Sequence, residues 1–285
     1  MFEKTSLPTQ TWVVFNLNQG DCLEGMRSMD SEMVDLVVTS PPYNLGIDYG
    51  KYDDTTDRNT FIAWCQEWAG EIKRVMKNEA SFFLNIGAAP SNPLLPHQLV
   101  LALTENEPGF ILQNTFHWIK SISVTTKKGE TISAGHFKPI RSERYVNDCH
   151  EYLFHLTKSG SVPLKRREAG VEYADKSNIA RWGHTGGEDK RCRGNTWFLP
   201  YETIQSRHKE RPHPATFPVK LVEQCIRIHG ADHTSHLLDP FLGIGTSAVA
   251  AYRMKIENFT GFEIDQDYLS VALERLEDER NTLFP

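Results

Sequence analysis

Two loop motifs, each directly after an apolar run, constrain this chain most. The first run, residues 34–39, is short and rich in β-branched side chains, and it leads into Ser40-Pro41-Pro42-Tyr43. About 200 residues later, a second run leads into Asp239-Pro240-Phe241-Leu242-Gly243-Ile244-Gly245-Thr246. Such runs are typical of buried parallel strands, and α/β sheets bind ligands at the loops that follow their strands. The motifs therefore predict an α/β fold with its chemistry at strand ends.

Strand-like and helix-like segments alternate along most of the chain. Phe61, Cys65, Trp68 and Ile72 recur at spacings of three and four residues, which predicts an amphipathic helix over residues 59–77. Similar patterns predict strands at 80–86, 111–120, 151–157, 236–241 and 259–264, and helices at 94–105, 219–229, 246–254 and 268–276. This alternation predicts a doubly wound, mostly parallel sheet.

The middle of the chain is basic and less regular. The formal net charge is −6, yet residues 117–213 hold 18 Lys and Arg against 11 Asp and Glu, and the remainder holds 13 against 26. Such a segment is expected where one face of a protein contacts phosphates, although a solvated Lys- and Arg-rich loop gives the same balance. We therefore divide the chain into residues 1–120, a basic insertion at 121–211 that includes a core strand near 150–157, and residues 212–285.

Composition excludes several classes of protein. The five cysteines are scattered without a C-x-x-C pair, which argues against a disulfide framework and a structural zinc site. No apolar run reaches the roughly 18 residues that a membrane-spanning helix needs, so a cytoplasmic protein without a membrane partner is expected.

The glycine-rich loop at residues 239–246 fits two kinds of cofactor. Gly243-x-Gly245-x-x-Ala248 satisfies a loose form of the dinucleotide-binding fingerprint. Glu263 ends the next predicted strand, where a carboxylate can accept hydrogen bonds from both hydroxyls of a ribose. These features indicate a cofactor with a ribose, and alone they leave a dinucleotide open.

Together, and in this order, the two motifs resemble those of the β-class DNA amino-methyltransferases, in which the catalytic motif precedes the cofactor motif. Asp-Pro-Phe-x-Gly-x-Gly-Thr is the form that the cofactor loop takes in that family, and the resemblance spans most of the chain. It implies the seven-stranded type of methyltransferase sheet in a circularly permuted order, with an inserted target-recognition region. It also implies S-adenosyl-L-methionine as the cofactor and no metal.

The resemblance further implies where the cofactor binds. Residues 211–220 look like the segment placed against the methionine end of the cofactor, and residues 20–23 look like the segment that lines the adenine. In that role Asp21 accepts from the exocyclic amine; a helix N-cap is its alternative role. The cofactor-binding candidates are Asp21, Thr39, His213, Phe217, Asp239, Pro240, Phe241, Gly243, Gly245, Thr246 and Glu263.

The catalytic candidates are Ser40, Pro41, Pro42 and Tyr43. The lone pair of an exocyclic amine is delocalised into the base, so methyl transfer needs acceptors that draw on its N–H bonds. The Ser40 side chain and the Pro41 carbonyl can accept, the prolines keep the loop rigid, and Tyr43 offers a face for stacking. Since a paired base cannot reach such a site, base flipping is implied. A polyproline-ligand role fits poorly, because Asn44 stands where a WW-type ligand needs Tyr.

The modified base follows partly from the cysteines. Methylation at C5 of cytosine needs a thiolate, usually in a Pro-Cys pair, and none of the five cysteines follows proline. Ser40 at the first motif position resembles the N4-cytosine enzymes, while Asp or Asn there is commoner among N6-adenine enzymes. We expect N4-cytosine, with N6-adenine as the alternative.

In this family, target recognition lies in an irregular basic insertion. Phosphate contacts would supply affinity there, and contacts to guanine edges would supply specificity. His150 and Glu151 either lie near the flipped base or are strand-start residues bonded to backbone. The aromatic residues Trp197, Phe198 and Tyr201 either pack in the core or stack on bases. The candidate DNA contacts are Lys127, Lys128, Lys138, Arg141, Arg144, Lys165, Arg166, Arg167, Arg181, Arg191 and Arg193.

Two rival functions remain open at this point. An RNA or protein amine methyltransferase could use the same Pro-Pro-Tyr geometry, although the basic insertion favours a nucleic acid. A catalytically silent DNA-binding module is disfavoured because both motifs are present. The expected partners are double-stranded DNA and a cognate restriction endonuclease that acts on the same site, with the protein as a monomer or homodimer.

Overall fold

The computed structural model describes residues 4–6, 14–44, 55–125, 131–135, 140–181, 186–201 and 216–283. Within these ranges the strands are β1 (Lys4–Ser6), β2 (Val14–Gln19), β3 (Val34–Thr39), β4 (Met76–Ile86), β5 (Ile111–Thr125), β6 (Thr131–Gly135), β7 (His150–Thr157), β8 (Thr196–Tyr201), β9 (His236–Asp239) and β10 (Asn258–Glu263). The helices are α1 (Cys22–Arg27), α2 (Arg58–Val75), α3 (Leu95–Glu105), α4 (Asn178–Arg181), α5 (Val219–His229), α6 (Thr246–Arg253) and α7 (Gln266–Leu283).

These strands form one sheet in the order β1-β2-β10-β9-β3-β4-β7-β5-β6, and β8 pairs with β5 off this path. Strands β2, β10, β9, β3 and β4 are mutually parallel, whereas β7 runs antiparallel to both β4 and β5. Helices α1, α2 and α3 bury their apolar residues on one face of the sheet, and α5, α6 and α7 bury theirs on the other. The predicted doubly wound α/β fold is confirmed.

Helix α2 shows how the pattern determines the packing. Its buried residues include Phe61, Cys65, Trp68 and Ile72, which share one face at helical spacing. Asp57 precedes the helix, and its side chain accepts from the backbone N–H of Asn59 at 2.9 Å. This hydrogen bond gives a partner to an N–H group of the first turn, which has no acceptor within the helix.

Two strands from distant parts of the sequence pair in the centre of the sheet. Strand β9, near the end of the sequence, pairs in parallel with β3, so that Leu36 faces Leu237 and Val37 faces Leu238. Because both strands run in the same direction, the loops that follow them lie at the same edge. The pairing of β3 with β9 therefore brings the two motifs together, although they lie about 200 residues apart in the sequence.

The structure adds strands that the sequence pattern did not reveal. Strand β5 extends to Thr125 beyond its predicted end, and β6 and β8 lie in stretches that lack strong periodicity. Strand β8 is short and ends in Leu-Pro-Tyr, which suits a strand whose one recorded partner within the described ranges is β5. Trp197 is 1% exposed and belongs to the core, whereas Phe198 is 58% exposed. Among the described residues, no helix has the length and apolar character needed to cross a membrane.

The assignment of Trp197 to the core predicts a difference between neighbouring substitutions. Trp197→Ala should lower the free energy of unfolding by about 3–5 kcal/mol, because it removes a large side chain packed against Phe116. Phe198→Ala, on the exposed face of the same strand, should change it by less than about 0.5 kcal/mol. Urea unfolding of both variants measures this, and an equal or greater loss in Phe198→Ala would contradict the register of β8.

Candidate active site

A cleft opens at the carboxyl ends of β2, β3, β9 and β10. It is lined by residues 20–22 after β2, residues 40–43 after β3, residues 240–244 after β9, and Glu263 with Ile264 at the end of β10. Phe217 and Thr246 also line it. The cleft therefore brings together both sequence motifs, as expected for an α/β sheet that binds its ligand at strand ends.

A buried contact joins the two motifs beneath the cleft. Thr39 Oγ1 donates to Asp239 Oδ1 at 2.6 Å, and the backbone N–H of Phe241 donates to the same oxygen at 3.1 Å. Ser247 donates to the other carboxylate oxygen. Burial raises the pKa of Asp239 to about 6, although these three hydrogen bonds oppose the rise. Thr39 and Asp239 thus hold the two loops in place from below, and neither side chain lines the cleft.

The glycine-rich loop is held against Glu263. The backbone N–H of Gly243 donates to Oε2 of Glu263 at 2.8 Å, and that of Asp265 donates to Oε1 at 2.9 Å. Burial raises the pKa of this carboxyl group to about 7. Gly245 has a φ of 76°, and a Cβ atom there would lie 2.7 Å from Cβ of Ala272 in α7. Only glycine fits this turn without strain.

The remaining cofactor candidates fall into two groups. Asp21 lines the cleft, and its side chain also caps α1 by accepting from the N–H groups of Leu23 and Glu24 at 2.9 and 3.1 Å. Both roles considered for Asp21 are therefore compatible with its position. Phe217 and Pro240 line the cleft as well. His213 lies outside the described residues.

The catalytic candidates lie at the end of the cleft nearest β4. Ser40 Oγ is 2.8 Å from the hydroxyl oxygen of Tyr43, and that hydroxyl donates to Oε2 of Glu151 at 3.0 Å. Asn85, at the end of β4, donates to the Tyr43 hydroxyl at 2.8 Å and to Glu151 Oε2 at 2.6 Å. Lys120 pairs with Glu151 Oε1 at 2.8 Å. Three strands thus contribute to one polar network behind the serine.

Several residues of the site were not found from the sequence. Trp64 lines the cleft, and its ring centroid lies 5.6 Å from that of Phe241, but its position within the predicted helix at 59–77 gives no sign of a role in the site. Tyr268 lines the cleft from α7. Asn85 gives one usable signal, since it is a polar residue at the end of the apolar run Phe82-Phe83-Leu84. Nothing in the sequence links Lys120 to Ser40.

Glu151 and His150 point to different surroundings. Glu151 accepts from Tyr43 in the Ser-Pro-Pro-Tyr loop, whereas the ring of His150 lies 5.0 Å from that of Tyr152 and 5.7 Å from that of His117. Burial, followed by the neighbouring His117, lowers the pKa of His150. Of this pair, Glu151 is therefore the residue in contact with the candidate catalytic side chains.

The basic candidates are spread over the molecule. Arg141 and Arg144 are exposed in the segment that leads into β7, where Glu151 accepts from Tyr43 of the Ser-Pro-Pro-Tyr loop. Arg166 and Arg167 are exposed near the far end of α5, where the N–H of Lys165 donates to Ile228 O.

Three of the described basic candidates have local partners within the protein, and Arg181 lies on the surface. Arg167 pairs with Glu188, Arg191 lies over the Tyr173 ring, Arg193 donates to Ala169 O, and Arg181 is exposed. Lys127, Lys128 and Lys138 lie outside the described residues.

A family model of DNA methylases, covering N6 and N4 methyltransferases, matches residues 34–274. The chain belongs to this family. The type II methyltransferase M.ScaI of Streptomyces caespitosus is 31% identical over 280 residues, covering 94% of this chain and 83% of its own. The DNA adenine methyltransferase YhdJ of Escherichia coli K12 is 26% identical over 271 residues, covering 90% of this chain and 81% of its own.

Solved structures give the same fold. The PvuII DNA methyltransferase, which is cytosine-N4-specific, superposes with a TM-score of 0.66 at 19% identity, covering 99% of this chain and 96% of its own. The protein TTHA0409 of Thermus thermophilus, complexed with S-adenosyl-L-methionine, superposes with a TM-score of 0.61 at 22% identity, covering 92% and 93%. The protein is thus an N4/N6-family DNA methyltransferase, and S-adenosyl-L-methionine is the cofactor of its family.

The described residues fit this cofactor. Glu263 presents a carboxylate in the cleft, and the backbone of the glycine loop passes beside it without a side chain at Gly243. Apolar side chains, including Phe241 and Ile264, complete the lining. A ribose, an apolar ring and a close approach to the backbone can all be accommodated at this end of the cleft.

The raised pKa of Glu263 predicts how stability depends on pH without cofactor. The folded protein keeps this carboxyl group protonated up to about pH 7, whereas the ordinary value is 4.5. The contribution of protonated Glu263 to the free energy of unfolding is therefore fully present below pH 4.5. This contribution is lost as the pH rises to about 7, by about 3 kcal/mol in total. We expect the free energy of unfolding of the wild type, minus that of Glu263→Gln, to fall over this interval in urea titrations. A constant difference would contradict the assigned environment.

Proposed function

We propose that the protein transfers a methyl group to the exocyclic N4 amine of a flipped cytosine within a short specific site of double-stranded DNA. The observation that carries the proposal is the cleft in which Ser40 and Pro41 lie beside the glycine loop and Glu263. When bound, S-adenosyl-L-methionine supplies a methyl group already activated on a sulfonium. The protein then needs to hold the amine, orient it and draw on its protons.

Each catalytic residue has a part in that task. The Ser40 hydroxyl and the Pro41 carbonyl accept from the two N–H bonds of the amine, which frees the nitrogen lone pair from the base. Pro41 and Pro42 keep both acceptors fixed, so little ordering is needed when the base arrives. Tyr43 lines the cleft, and we propose that its ring supports the base while its hydroxyl points to Glu151.

We assign the cofactor to the other end of the cleft. Glu263 accepts from the ribose hydroxyls, Asp21 accepts from the adenine amine, and Phe217 with the Pro240–Phe241 turn borders the methionine end. Gly243, Gly245 and Thr246 shape the loop around it, and Thr39 and Asp239 hold that loop from beneath. His213 belongs with the methionine end in this proposal.

We further propose that residues 121–211 recognise the DNA. Arg141 and Arg144 are the described candidates best placed for contacts near the flipped base, because their segment enters β7 at the catalytic edge. Helix α5 begins beside the cleft, just after Phe217. Arg166 and Arg167 lie near its other end, away from the cleft. Since the relatives include type II methyltransferases, a restriction endonuclease with the same site is the proposed partner.

Methylation of adenine at N6 is the second candidate. The relative YhdJ is a DNA adenine methyltransferase, and the fold and acceptors would serve either amine. Ser40 at the first motif position and the similarity to the cytosine-N4-specific PvuII enzyme favour cytosine.

Identification of the methylated nucleoside tests this proposal. The protein is incubated with labelled S-adenosyl-L-methionine in three separate reactions, which contain unmethylated genomic DNA, RNA or protein as the substrate. The modified DNA is then digested to nucleosides for mass spectrometry. We expect label in duplex DNA and N4-methylcytosine among the nucleosides. N6-methyladenine would transfer the assignment to the second candidate, and label only in RNA or protein would overturn the proposal.

The role of Ser40 gives a separate prediction. Ser40→Ala should lower the single-turnover rate of methyl transfer by about 100-fold or more, because it removes one acceptor on the amine. Binding of S-adenosyl-L-methionine, measured by calorimetry, should change little. Loss of cofactor binding in a folded Ser40→Ala protein would show that the serine belongs to the cofactor site instead.

A further inference from the structure

A line of hydrogen bonds leads from Ser40 into the sheet and ends at a carboxylate. Ser40 Oγ contacts the hydroxyl oxygen of Tyr43 at 2.8 Å, and the Tyr43 hydroxyl donates to Glu151 Oε2 at 3.0 Å. Glu151 stands at the start of β7, more than 100 residues from the Ser-Pro-Pro-Tyr motif in sequence. Its side chain is 12% exposed, so the line ends inside the protein.

The surroundings of Glu151 keep this geometry fixed. Lys120 pairs with Oε1 at 2.8 Å, which leaves Oε2 for Tyr43 and Asn85. A Cβ atom at position 87 would lie 2.9 Å from the Tyr43 ring and 3.3 Å from Glu151 Cγ, so glycine is what lets the two side chains meet. The contact is therefore supported by three strands and one close approach of the backbone.

The direction of each hydrogen bond follows from the number of protons. An ionised carboxylate can only accept, so the single hydroxyl proton of Tyr43 points to Glu151. The amide nitrogen of Asn85 also donates to the Tyr43 oxygen, at 2.8 Å. Tyr43 therefore has no proton left for Ser40, and the Ser40 hydroxyl must donate to Tyr43. Asn85 Nδ2 also lies 3.4 Å from Ser40 Oγ, as a weaker third donor contact of the same amide. The remaining lone pair of Ser40 Oγ is left to accept from a substrate in the cleft.

We propose that Glu151 is a positioning residue that makes Ser40 an acceptor and receives the proton released by methyl transfer. This role depends on the proposed function, because it requires an amine held at Ser40. As the amine nitrogen bonds to the methyl carbon, the carbon–sulfur bond breaks with its electron pair going to sulfur, and the nitrogen becomes cationic. Its proton passes to Ser40 Oγ, the serine proton to the Tyr43 oxygen, and the tyrosine proton to Glu151 Oε2. The methylated base and the two hydroxyls end neutral, and Glu151 ends as a carboxylic acid.

The negative charge of Glu151 acts before the proton arrives. Positive charge develops on the amine in the transition state, and a fixed anion reached through two hydroxyls stabilises that charge in a site that needs no reorganisation. Its absence should affect the chemical step more than the binding of either ligand. Methyl-transfer rate and ligand affinity are therefore expected to respond differently.

Glu151→Gln tests the role with the smallest change in shape. In single-turnover assays with the full-length protein and duplex DNA, we expect the methyl-transfer rate to fall about 100-fold. The dissociation constants for S-adenosyl-L-methionine and DNA should stay within about twofold, since a purely structural role would shift them too. Glu279→Gln is the matched control: its side chain is 14% exposed and pairs with Arg253, far from the cleft in α7. It should leave the rate unchanged.

Tyr43→Phe supplies the second arm, because it removes only the linking hydroxyl. We expect a similar fall in rate, and the double variant Glu151→Gln/Tyr43→Phe should be no slower than the slower single variant, as residues that act as one unit are non-additive. If the losses multiply in the double variant, or either single variant transfers at the wild-type rate, the proposal is overturned. If Glu151→Gln fails to fold, the rate of Tyr43→Phe decides alone.

The wild type in the same assay separates this proposal from the one on which it depends. A wild type that methylates no exocyclic amine would overturn both. An active wild type beside an equally active Glu151→Gln variant would overturn only the role of Glu151.

Discussion

The buried hydrogen bond between Thr39 and Asp239 is the contact on which the site depends most. It joins the ends of two neighbouring parallel strands that are 200 residues apart in sequence, at 2.6 Å and out of contact with solvent. A buried carboxylate without partners would be costly, and here Thr39, Ser247 and the Phe241 backbone satisfy it. One strand carries the Ser-Pro-Pro-Tyr loop, and the other carries the glycine loop. Their spacing across the cleft is therefore set by a contact in the core.

Carboxylates of different character surround the cleft. Asp239 is fully enclosed and organises backbone, while Glu263 stands in the cleft with a pKa raised to about 7 by burial. Glu151 lies behind the catalytic loop and is paired with Lys120. Each carboxylate lies near the end of a different strand and makes different contacts: Asp239 with Thr39 and Ser247, Glu263 with the glycine loop, and Glu151 with Tyr43 and Lys120.

Much of the fold could be predicted because strong local signals repeat. Strand β3 and helix α5 have nearly unambiguous patterns, and Val219–His229 was predicted with its observed bounds. Strand β8 was missed because six residues with one proline give little periodicity, and its place is fixed only by pairing with β5. Strands β1 and β2 and helix α1 were not predicted either. The ends of the predicted elements shifted, by as many as seven residues at the carboxyl end of α7, since termini depend on capping and pairing partners that a local pattern does not contain.

The site could be predicted in part for a related reason. Ser40, Gly243 and Glu263 lie in motifs at strand ends, so their neighbours in sequence identify them. Asn85 and Lys120 are isolated polar residues in otherwise ordinary strands, and they reach Tyr43 and Glu151 only through the antiparallel insertion of β7 between β4 and β5. A role that arises from strand order leaves no mark in a local motif.

A crystal structure of the protein with S-adenosyl-L-methionine bound tests the central claim most directly. The claim is that β3 and β9 build one cleft, with the methyl donor at one end and the amine acceptors at the other. The account predicts that the ribose hydroxyls lie within hydrogen-bond distance of the Glu263 carboxylate and that the methyl group points toward Ser40 and Pro41. A cofactor bound outside this cleft, or one whose methyl group points away from the Ser-Pro-Pro-Tyr loop, would contradict it.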